Sequence, residues 1–258
     1  MVKNKQPIIK LEQVNKTYNE YGVTVRAIDN ISLEIYPGEL VAITGPSGSG
    51  KSTLLHCIGL LDRPSSGIVY IEGKNTSEIS GKEVSLFRGR KLGFVFQHYN
   101  LIPRLTSLEN VMLPGLILGR DDVDVKKKAH ILLKEVGIDH RTHHKGVHLS
   151  GGEQQKVAIA RALINNPVIV LADEPTGALD TENSRDIMKL LVKMNKKRNT
   201  TFIFISHETD IAQYGKRRII LKDGSIVDDT YINSSNNIRK KRKQQLTKTR
   251  EQRRSSQV

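Results

Sequence analysis

The sequence predicts an α/β protein in which a mainly parallel sheet is combined with an N-terminal antiparallel β layer and an inserted helical block. Two continuous apolar runs, Leu40–Thr44 and residues 168–172, have the composition of strands buried on both faces of a parallel sheet. Helical segments alternate with such strands, as in a parallel α/β core. Between about residues 98 and 165 the pattern is mostly helical, which predicts a subdomain inserted into that core.

The N-terminal elements are predicted from their pattern of apolar and polar residues and from a glycine that ends a strand. Residues 8–14 and 27–35 are predicted strands of an antiparallel layer, and in the second the apolar residues largely alternate with polar ones. The buried strand Leu40–Thr44 ends at a glycine, and a helix is predicted to follow over about residues 51–60. Further strands are predicted at residues 68–71 and Leu92–Phe96.

The helical block opens with a local start signal. Thr106 with Glu109 three residues later has the form of a capping box. A second helix is predicted over residues 125–136. Its apolar side is predicted to comprise Ile131, Leu132 and Val136. A third helix, over about residues 151–165, is predicted to end at Pro167. One face of that helix is predicted to carry Val157, Ala160 and Ile164.

The C-terminal part continues the alternation. A helix over about residues 181–197 separates the apolar run 168–172 from a buried strand at Thr201–Ile205. Asp223-Gly224 lies at the centre of residues 218–227, which predicts a β-hairpin.

These elements form one predicted domain over residues 1–231, with the helical subdomain of about residues 98–165 inserted. Residues 232–258 are rich in Asn, Ser, Gln and basic side chains, and we expect a disordered tail there. The net charge of +14 is uneven, since nine basic residues and one Glu in 239–258 carry +8 of it. Such a run is either a solvated segment or a binding segment for anionic lipid or nucleic acid.

The single cysteine, Cys57, excludes an internal disulfide and fits a reducing compartment. Its apolar neighbours predict a small buried residue. No apolar run approaches the ~20 residues that span a bilayer. The N-terminus leads into no stretch typical of a signal peptide. If this protein acts at a membrane, we expect another chain to do the spanning.

A phosphate-binding loop follows the strand Leu40–Thr44. The pattern G-x-x-x-x-G-K-S is matched in full by Gly45, Pro46, Ser47, Gly48, Ser49, Gly50, Lys51 and Ser52. The glycines allow backbone N–H groups to turn toward phosphate oxygens, together with the start of the next helix, where Thr53 lies. Lys51 is expected at the β- and γ-phosphates, and the Ser52 hydroxyl is expected to ligate Mg²⁺.

The expected nucleotide is ATP. A GTPase needs Asn-Lys-x-Asp to recognise guanine, and neither Asn15-Lys16 nor Asn195-Lys196 continues in that way. Tyr18, upstream of the loop, is the candidate to stack on adenine. Taken alone, Tyr18 could equally be a surface residue at a strand end.

Acidic residues follow the apolar run 168–172 directly. Asp173 is expected to support Mg²⁺, directly or through water, and Glu174 to orient and activate the attacking water. Gln97, at the end of a strand, could reach Mg²⁺ or that water. His207, also after a strand, could hydrogen-bond the γ-phosphate or the water. The histidines from His98 to His148 lack metal-site spacing, and we expect them at the solvated surface.

A pentapeptide, Leu149-Ser150-Gly151-Gly152-Glu153, lies between these motifs. Ser150 and Glu153 form a predicted capping box for the helix that begins at Gly151. The N–H groups of that helix terminus carry partial positive charge and point outward, where nothing in the same subunit needs them.

With these motifs in this order, residues 7–228 resemble the nucleotide-binding subunit of ATP-binding cassette (ABC) transporters, which are P-loop NTPases. The resemblance marks residues 149–153 as the signature and 177–180 as the aspartate loop. It implies that Ser150 to Gly152 of one subunit contact the γ-phosphate held by the other. Two ATP molecules then join a head-to-tail dimer that hydrolysis releases, and Asp180 links the two sites.

Four segments, 93–97, 100–103, 109–111 and 171–177, are similar to the macrolide-exporter and lipoprotein-release subfamily. The implied function is efflux, extrusion or mechanotransmission. The implied partners are a separate transmembrane permease subunit, a second copy of this chain and an extracytoplasmic adaptor. The implied location is the cytoplasmic face of the cell membrane, through the membrane subunit. Lys156, where Arg is usual, and the long basic tail depart from the pattern.

Two other functions are alternatives for the same residues. A soluble ABC ATPase acting on nucleic acid or ribosomes would use the basic tail. The sequence argues against this hypothesis, since it has one nucleotide-binding domain, no coiled-coil insertion and no zinc motif. A regulator of cell-envelope enzymes, coupling hydrolysis to a shape change without moving a substrate, is not separated from export by sequence.

Overall fold

The computed structural model describes residues 6–20 and 22–232. The strands are β1 (Ile9–Glu20), β2 (Val23–Ile35), β3 (Leu40–Thr44), β4 (Ser66–Ile71), β5 (Lys74–Asn75), β6 (Leu92–Phe96), β7 (Ile169–Asp173), β8 (Thr201–Ile205), β9 (Arg217–Lys222) and β10 (Ser225–Tyr231). The helices are α1 (Lys51–Ile58), α2 (Lys82–Lys91), α3 (Ser107–Ile117), α4 (Asp122–Glu135), α5 (Gly151–Leu163), α6 (Thr181–Arg198) and α7 (Thr209–Ala212). The predicted α/β class, with its N-terminal antiparallel layer and helical block, is confirmed.

The central sheet has the strand order β10-β9-β3-β8-β7-β6. Strands β9, β3, β8, β7 and β6 run parallel, and β10 pairs antiparallel with β9. Because the carboxyl ends of parallel strands meet at one edge, this order brings together the residues that follow β3, β6, β7 and β8. Those residues are the phosphate loop, Gln97, the acidic pair and His207.

The central strands separate two hydrophobic cores. Ile43 and Ile203 pack with α1 and the antiparallel sheet, whose order is β2-β1-β4-β5. Ala42, Phe202 and Phe204 pack on the other face with helices α3 to α6. Since alternate side chains of one strand enter different cores, every position must be apolar. This is why the sequence shows continuous apolar runs here.

The helical block contains one confirmed boundary and one error. Thr106 caps α3, and its capping box with Glu109 is present in both directions, as predicted. On α4, Leu132 and Val136 are buried as predicted, but Ile131 is 57% exposed. The buried face instead follows Val125, Ala129, Leu132, Leu133 and Val136. Ile131 lies two residues from both Ala129 and Leu133, so the 100° step of a helix turns it away from that face.

Some elements were not predicted or differ in length. Helix α2 has no buried residue, so it shows no apolar periodicity in the sequence. The short α7 was also missed. Helix α5 ends at Leu163, before the expected stop at Pro167, and the Asn166 N–H bonds the Leu163 carbonyl at 3.1 Å. The predicted hairpin is present as β9–β10, with both Asp223 and Gly224 at positive φ.

The predicted tail lies outside the described residues, apart from Ile232. The domain boundaries 1–231 and 232–258, and the bounds of about 98–165 for the helical block, stay predictions. Within the part of the chain that the structure describes, no helix has both the length and the hydropathy needed to cross a membrane.

Candidate active site

The loop after β3 encloses the ammonium group of Lys51. This residue is 7% exposed. Its Nζ donates to the carbonyl oxygens of Pro46 at 2.7 Å and Gly45 at 3.0 Å. Helix α1 begins at Lys51, directly after Gly50 in the left-handed conformation. The ammonium and the first N–H groups of α1 thus lie at the loop, which is an arrangement that attracts phosphate.

Two glycines of the loop are required by close backbone approach. A Cβ atom on Gly45 would lie 2.0 Å from the carbonyl oxygen of Leu221, and one on Gly50 would lie 2.1 Å from that of Ala27. Both glycines also have positive φ, 147° and 94°. A larger residue at either position would have to displace neighbouring backbone.

Strand β7 ends at Asp173, whose carboxylate lies beside the phosphate loop. The Ser52 hydroxyl donates to its Oδ1 at 3.2 Å, and Nε2 of His56 lies 4.0 Å from its Oδ2. Burial raises the pKa of Asp173, and the Ser52 hydrogen bond and His56 act in the opposite direction. A half-buried carboxylate in this position would be stabilised by a nearby cation.

Glu174 follows in a strained backbone conformation, with φ 45°. Its Oε1 lies 3.3 Å from Nδ1 of His207, the residue that follows β8 by two positions. Since a carboxylate only accepts, this contact places the imidazole proton on Nδ1 and leaves Nε2 of a neutral ring as an acceptor. The glutamate and histidine expected at the attacking water are therefore in contact.

Gln97 approaches the same carboxylate across Gly177. A Cβ atom built on Gly177 would lie 2.8 Å from Nε2 of Gln97 and 3.2 Å from Oε2 of Glu174. The absence of a side chain at residue 177 thus allows the amide and the carboxylate to share one space. The structure brings together the phosphate loop, Asp173, Glu174, Gln97 and His207.

The signature pentapeptide begins α5 with the predicted capping box. The Ser150 N–H donates to Oε2 of Glu153 at 2.8 Å, and the Glu153 N–H donates to Oγ of Ser150 at 3.4 Å. A Cβ atom on Gly152 would lie 2.7 Å from Oδ1 of Asn183. Asn183 in turn donates from Nδ2 to Asp180 at 2.6 Å. Ser150 to Gly152 and Asp180 thus form a second group, and no hydrogen bond between described residues links Ser150 to the phosphate loop.

Comparison with known proteins agrees with this arrangement. The family model described as ABC transporter matches residues 28–177. The chain belongs to the ABC transporter family. As an ABC protein it is an ATP-binding and ATP-hydrolysing subunit, and its fold is that of the ABC ATPase cassette.

Three relatives cover most of this ABC subunit. An uncharacterized ABC transporter ATP-binding protein, MJ0796 of Methanocaldococcus jannaschii, is 48% identical over 85% of this chain and 95% of its own length. The lipoprotein-releasing system ATP-binding protein LolD of Aquifex aeolicus is 45% identical over 86% and 97%. The macrolide export ATP-binding/permease protein MacB of Haemophilus ducreyi is 44% identical over 88% of this chain but 32% of its own length.

A solved structure of MJ0796 is similar to the fold of this ABC subunit. It is a dimer in a post-hydrolysis state, bound to ADP and Pi. The similarity has a TM-score of 0.80 at 44% identity, and it covers 88% of this chain and 99% of that one. The resemblance stated from sequence to the macrolide-exporter and lipoprotein-release subfamily is confirmed by the MacB and LolD relatives.

Tyr18 lies beside α1, next to the ABC phosphate loop. Its hydroxyl donates to Oδ2 of Asp62 at 2.8 Å, and the same carboxylate accepts from Nζ of Lys16 at 2.6 Å. That ammonium lies 4.9 Å from the centre of the Tyr18 ring. Burial, followed by the Asp62 hydrogen bond, raises the pKa of the Tyr18 hydroxyl. The ring is therefore held on one side, as a stacking platform requires.

Two residues of the ABC site were not found by sequence reasoning. His56 lies near Asp173, and Asn183 donates a hydrogen bond to Asp180. A signal existed for Asn183, since it stands three residues after Asp180, the spacing at which an N-cap side chain accepts a backbone N–H. His56 gave no comparable signal. Gly177 was predicted as part of the aspartate loop, but its place beside Gln97 was not predicted.

Cys57 and six histidines were expected to lie outside the nucleotide site. Cys57 is fully buried, and burial raises the pKa of its thiol to about 11. Five of the histidines expected at the surface are exposed, namely His98, His130, His140, His143 and His148. The sixth, His144, is half-buried against Arg141. Within the described ranges, no group of three His, Cys, Asp or Glu side chains could hold a metal on its own.

Proposed function

We propose that this ABC subunit hydrolyses ATP by general-base catalysis from Glu174 and powers a separate membrane permease. The contact of Glu174 with His207 at the edge that holds the phosphate loop carries the proposal. A carboxylate held there by an imidazole is in place to take a proton from a water molecule.

The chain's residues divide the reaction between them. The backbone N–H groups of residues 45–53 bind the phosphates, and Lys51 places its charge at the β- and γ-phosphates. Tyr18 stacks on adenine. Glu174 accepts the proton of the attacking water, and Nε2 of a neutral His207 accepts a second hydrogen bond from the same water. Gln97 orients that water from the other side of Gly177.

Mg²⁺ fits the donor set at Asp173. The Ser52 hydroxyl and the Asp173 carboxylate are in contact, and the Gln97 amide faces the same edge, so the available ligands are hard oxygen atoms. Burial of Asp173 is a further reason for a cation at this position. Ser52, Asp173 and Gln97 would hold the ion, which neutralises phosphate charge when bound.

A second copy of this chain completes each nucleotide site. Ser150 caps α5, which begins with Gly151 and Gly152, and the N–H groups of a helix N-terminus are suited to bind a γ-phosphate. The dimeric structure of MJ0796 supports this assignment. Asp180, joined to the signature through Asn183, is proposed to connect the two sites.

The permease is proposed to dock in a groove between α2, β6, α3 and α5, close to residues 97–101. This groove has a volume of about 340 Å³ and contains Phe94, Phe96 and Leu118. Ile117 at its rim is 72% exposed. An exposed apolar rim beside the Gln97 segment suits an apolar helix of a membrane protein.

The names of two relatives suggest what the proposed complex moves ATP energy into. MacB is named for macrolide export and LolD for lipoprotein release. We infer extrusion or mechanotransmission at the cytoplasmic face of the membrane, with an extracytoplasmic adaptor on the far side. The basic segment 239–258, outside the described residues, is proposed to contact anionic lipid, at about 1 kcal/mol per basic residue near such a surface.

The Glu174→Gln variant tests this function. Removing the base should lower ATP turnover by about 10²-fold or more and trap an ATP-bound dimer. Phosphate release and size-exclusion chromatography with ATP and Mg²⁺ measure the two effects, and Glu208→Gln, an exposed isosteric change nearby, is the matched control.

A tagged Glu174→Gln chain should recover a stoichiometric multi-span protein from detergent-solubilised membranes. A monomeric variant with wild-type turnover would refute the proposal.

A further inference from the structure

One buried amide lies between the two loops that carry Gln97 and Glu174. Gln155, fully buried on α5, donates from Nε2 to the carbonyl oxygen of Pro175 at 2.6 Å and to that of Phe96 at 3.3 Å. Phe96 immediately precedes Gln97, and Pro175 immediately follows Glu174. A single nitrogen atom thus joins the backbones next to both site residues.

Chemistry fixes the orientation of this amide. Both neighbours are carbonyl oxygens, which only accept, so the NH₂ group of Gln155 must face them. Its Oε1 is buried and has no hydrogen-bond partner among the residues that the structure describes. A buried acceptor without a partner is destabilising, so Gln155 carries a cost at Oε1. What Gln155 supplies is the link between the two loops.

The linked loops are strained and need such support. Glu174 has φ 45°, and Tyr99 and Asn100, just after Gln97, have φ 59° and 50°. Such conformations persist where the surrounding structure holds them. On the Gln97 side, Arg161 of the same helix also donates to the Tyr99 carbonyl at 2.7 Å. Helix α5 therefore holds the Gln97 segment at both ends and the Glu174 loop at one point.

We propose that Gln155 is a positioning residue for ATP hydrolysis, whose Nε2 sets the separation of Gln97 and Glu174 through the Phe96 and Pro175 carbonyls. The proposal rests on the catalytic role proposed above for Glu174. Gln155 does not touch the nucleotide. Since α5 begins at the signature, a displacement of this helix would change the geometry of Glu174 in the same subunit.

The Gln155→Glu variant replaces the donor with an oxygen that faces two carbonyl oxygens and repels them. We expect kcat to fall about tenfold or more with KM for ATP changed less than about threefold, since small misplacements of catalytic groups are costly. Burial raises the pKa of the introduced carboxyl, whose protonated form again offers one donor. The ratio of variant to wild-type kcat should therefore rise from about pH 8 to about pH 6.

A chemically matched control lies at the opposite edge of the sheet. Asn195, 2% exposed, donates from Nδ2 to the carbonyl oxygens of Gly38 at 3.1 Å and Thr200 at 2.8 Å. Asn195→Asp should lower the melting temperature as Gln155→Glu does, but it should leave the kcat of the folded protein unchanged at both pH values. If Gln155→Glu does not fold, Gln155→Met removes the donor without adding charge, and its lower kcat should not depend on pH.

The outcomes separate this inference from the proposed function. Wild-type kcat in both Gln155 variants, together with loss of turnover in Glu174→Gln, would overturn the positioning role and leave the function standing. An equal loss of kcat in Asn195→Asp would also overturn it, since the effect would then be general destabilisation. Wild-type turnover in Glu174→Gln would instead remove the proposed function itself.

Discussion

At the scale of residues, the glycines of the phosphate loop have different reasons to be glycine. Gly45 lies against the Leu221 carbonyl, whereas Gly48 has positive φ but no atom within 4 Å of the position a Cβ would take. Lys51, by contrast, is held by hydrogen bonds to the carbonyls of residues 45 and 46. A substitution at Gly45 is therefore opposed by a steric clash with neighbouring backbone. A substitution at Gly48 is opposed only by the strain of a positive φ.

Gly45→Ala should abolish nucleotide binding and lower the free energy of unfolding by more than about 3 kcal/mol, because backbone must move. Gly48→Ala is the matched control, with a cost of about 1–2 kcal/mol from backbone strain. Urea unfolding and binding of a fluorescent ATP analogue measure both. Equal effects in the two variants would contradict the argument from close approach.

Sequence motifs predicted the site residues that stand next to recognisable sequence features. Lys51, Ser52, Asp173 and Glu174 stand beside strand ends that are legible as apolar runs, so their convergence followed from parallel topology. Gln155 could not be found in that way. Its partners are backbone carbonyls 59 and 20 residues away, and a carbonyl has no residue type by which a sequence could mark it.

At the scale of elements, the negative charge of Glu153 stabilises the start of α5. The N–H of Ser150 and, to a lesser extent, Arg141 lower the pKa of Glu153. A lowered folded pKa means that the ionised carboxylate is stabilised by folding. Its contribution is fully present above the unfolded value of about 4.3 and is lost as pH falls through the lower folded value.

Glu153→Gln should keep the amide form of the capping box but lose the charge. We expect the free energy of unfolding to fall by about 1 kcal/mol at pH 7, and the difference from wild type to shrink as pH falls below the unfolded value of about 4.3. Urea unfolding at several pH values measures this. Glu83→Gln, exposed in the first turn of α2, should change stability by less than about 0.5 kcal/mol. A difference that stays constant with pH would rule out the charge.

Elements that bury a continuous face were predictable, and those that bury little were not. Helix α2 buries no residue fully, so neither its existence nor its bounds follow from periodicity. On α4, Ile131 is apolar yet exposed. The sequence names the residue type at that position but not the direction of the neighbouring helices, which decides the buried face.

At the scale of the whole molecule, Arg217 joins the two sheets. Its guanidinium makes two 2.7 Å hydrogen bonds to Asp229 and reaches Glu39 at 3.0 Å and the Glu34 carbonyl at 2.8 Å. Only 8% of its side chain is exposed. One side chain thus connects β9, β10, the start of β3 and the end of β2.

Arg217→Met should lower the free energy of unfolding by about 3–5 kcal/mol, because two carboxylates would lose their buried partner. Arg218→Met is the control, since the Arg218 side chain is half-buried, with 44% of it exposed, and lies 3.8 Å from Asp228, so about 0–1 kcal/mol is expected there. Urea unfolding of both variants measures the contrast. A loss at residue 217 no greater than at 218 would exclude this linking role.

The position of β3 has a consequence for the newly made chain. β3 bears the phosphate loop, and its sheet neighbours are β8 and β9. Those strands are translated about 160 residues later or more. At about 5–20 residues per second, β3 leaves the ribosome roughly 8–30 seconds before its neighbours exist. During that time an apolar strand with two open edges must be shielded. Added chaperone should therefore raise the yield of soluble protein, whereas slower translation lengthens the time for which shielding is needed.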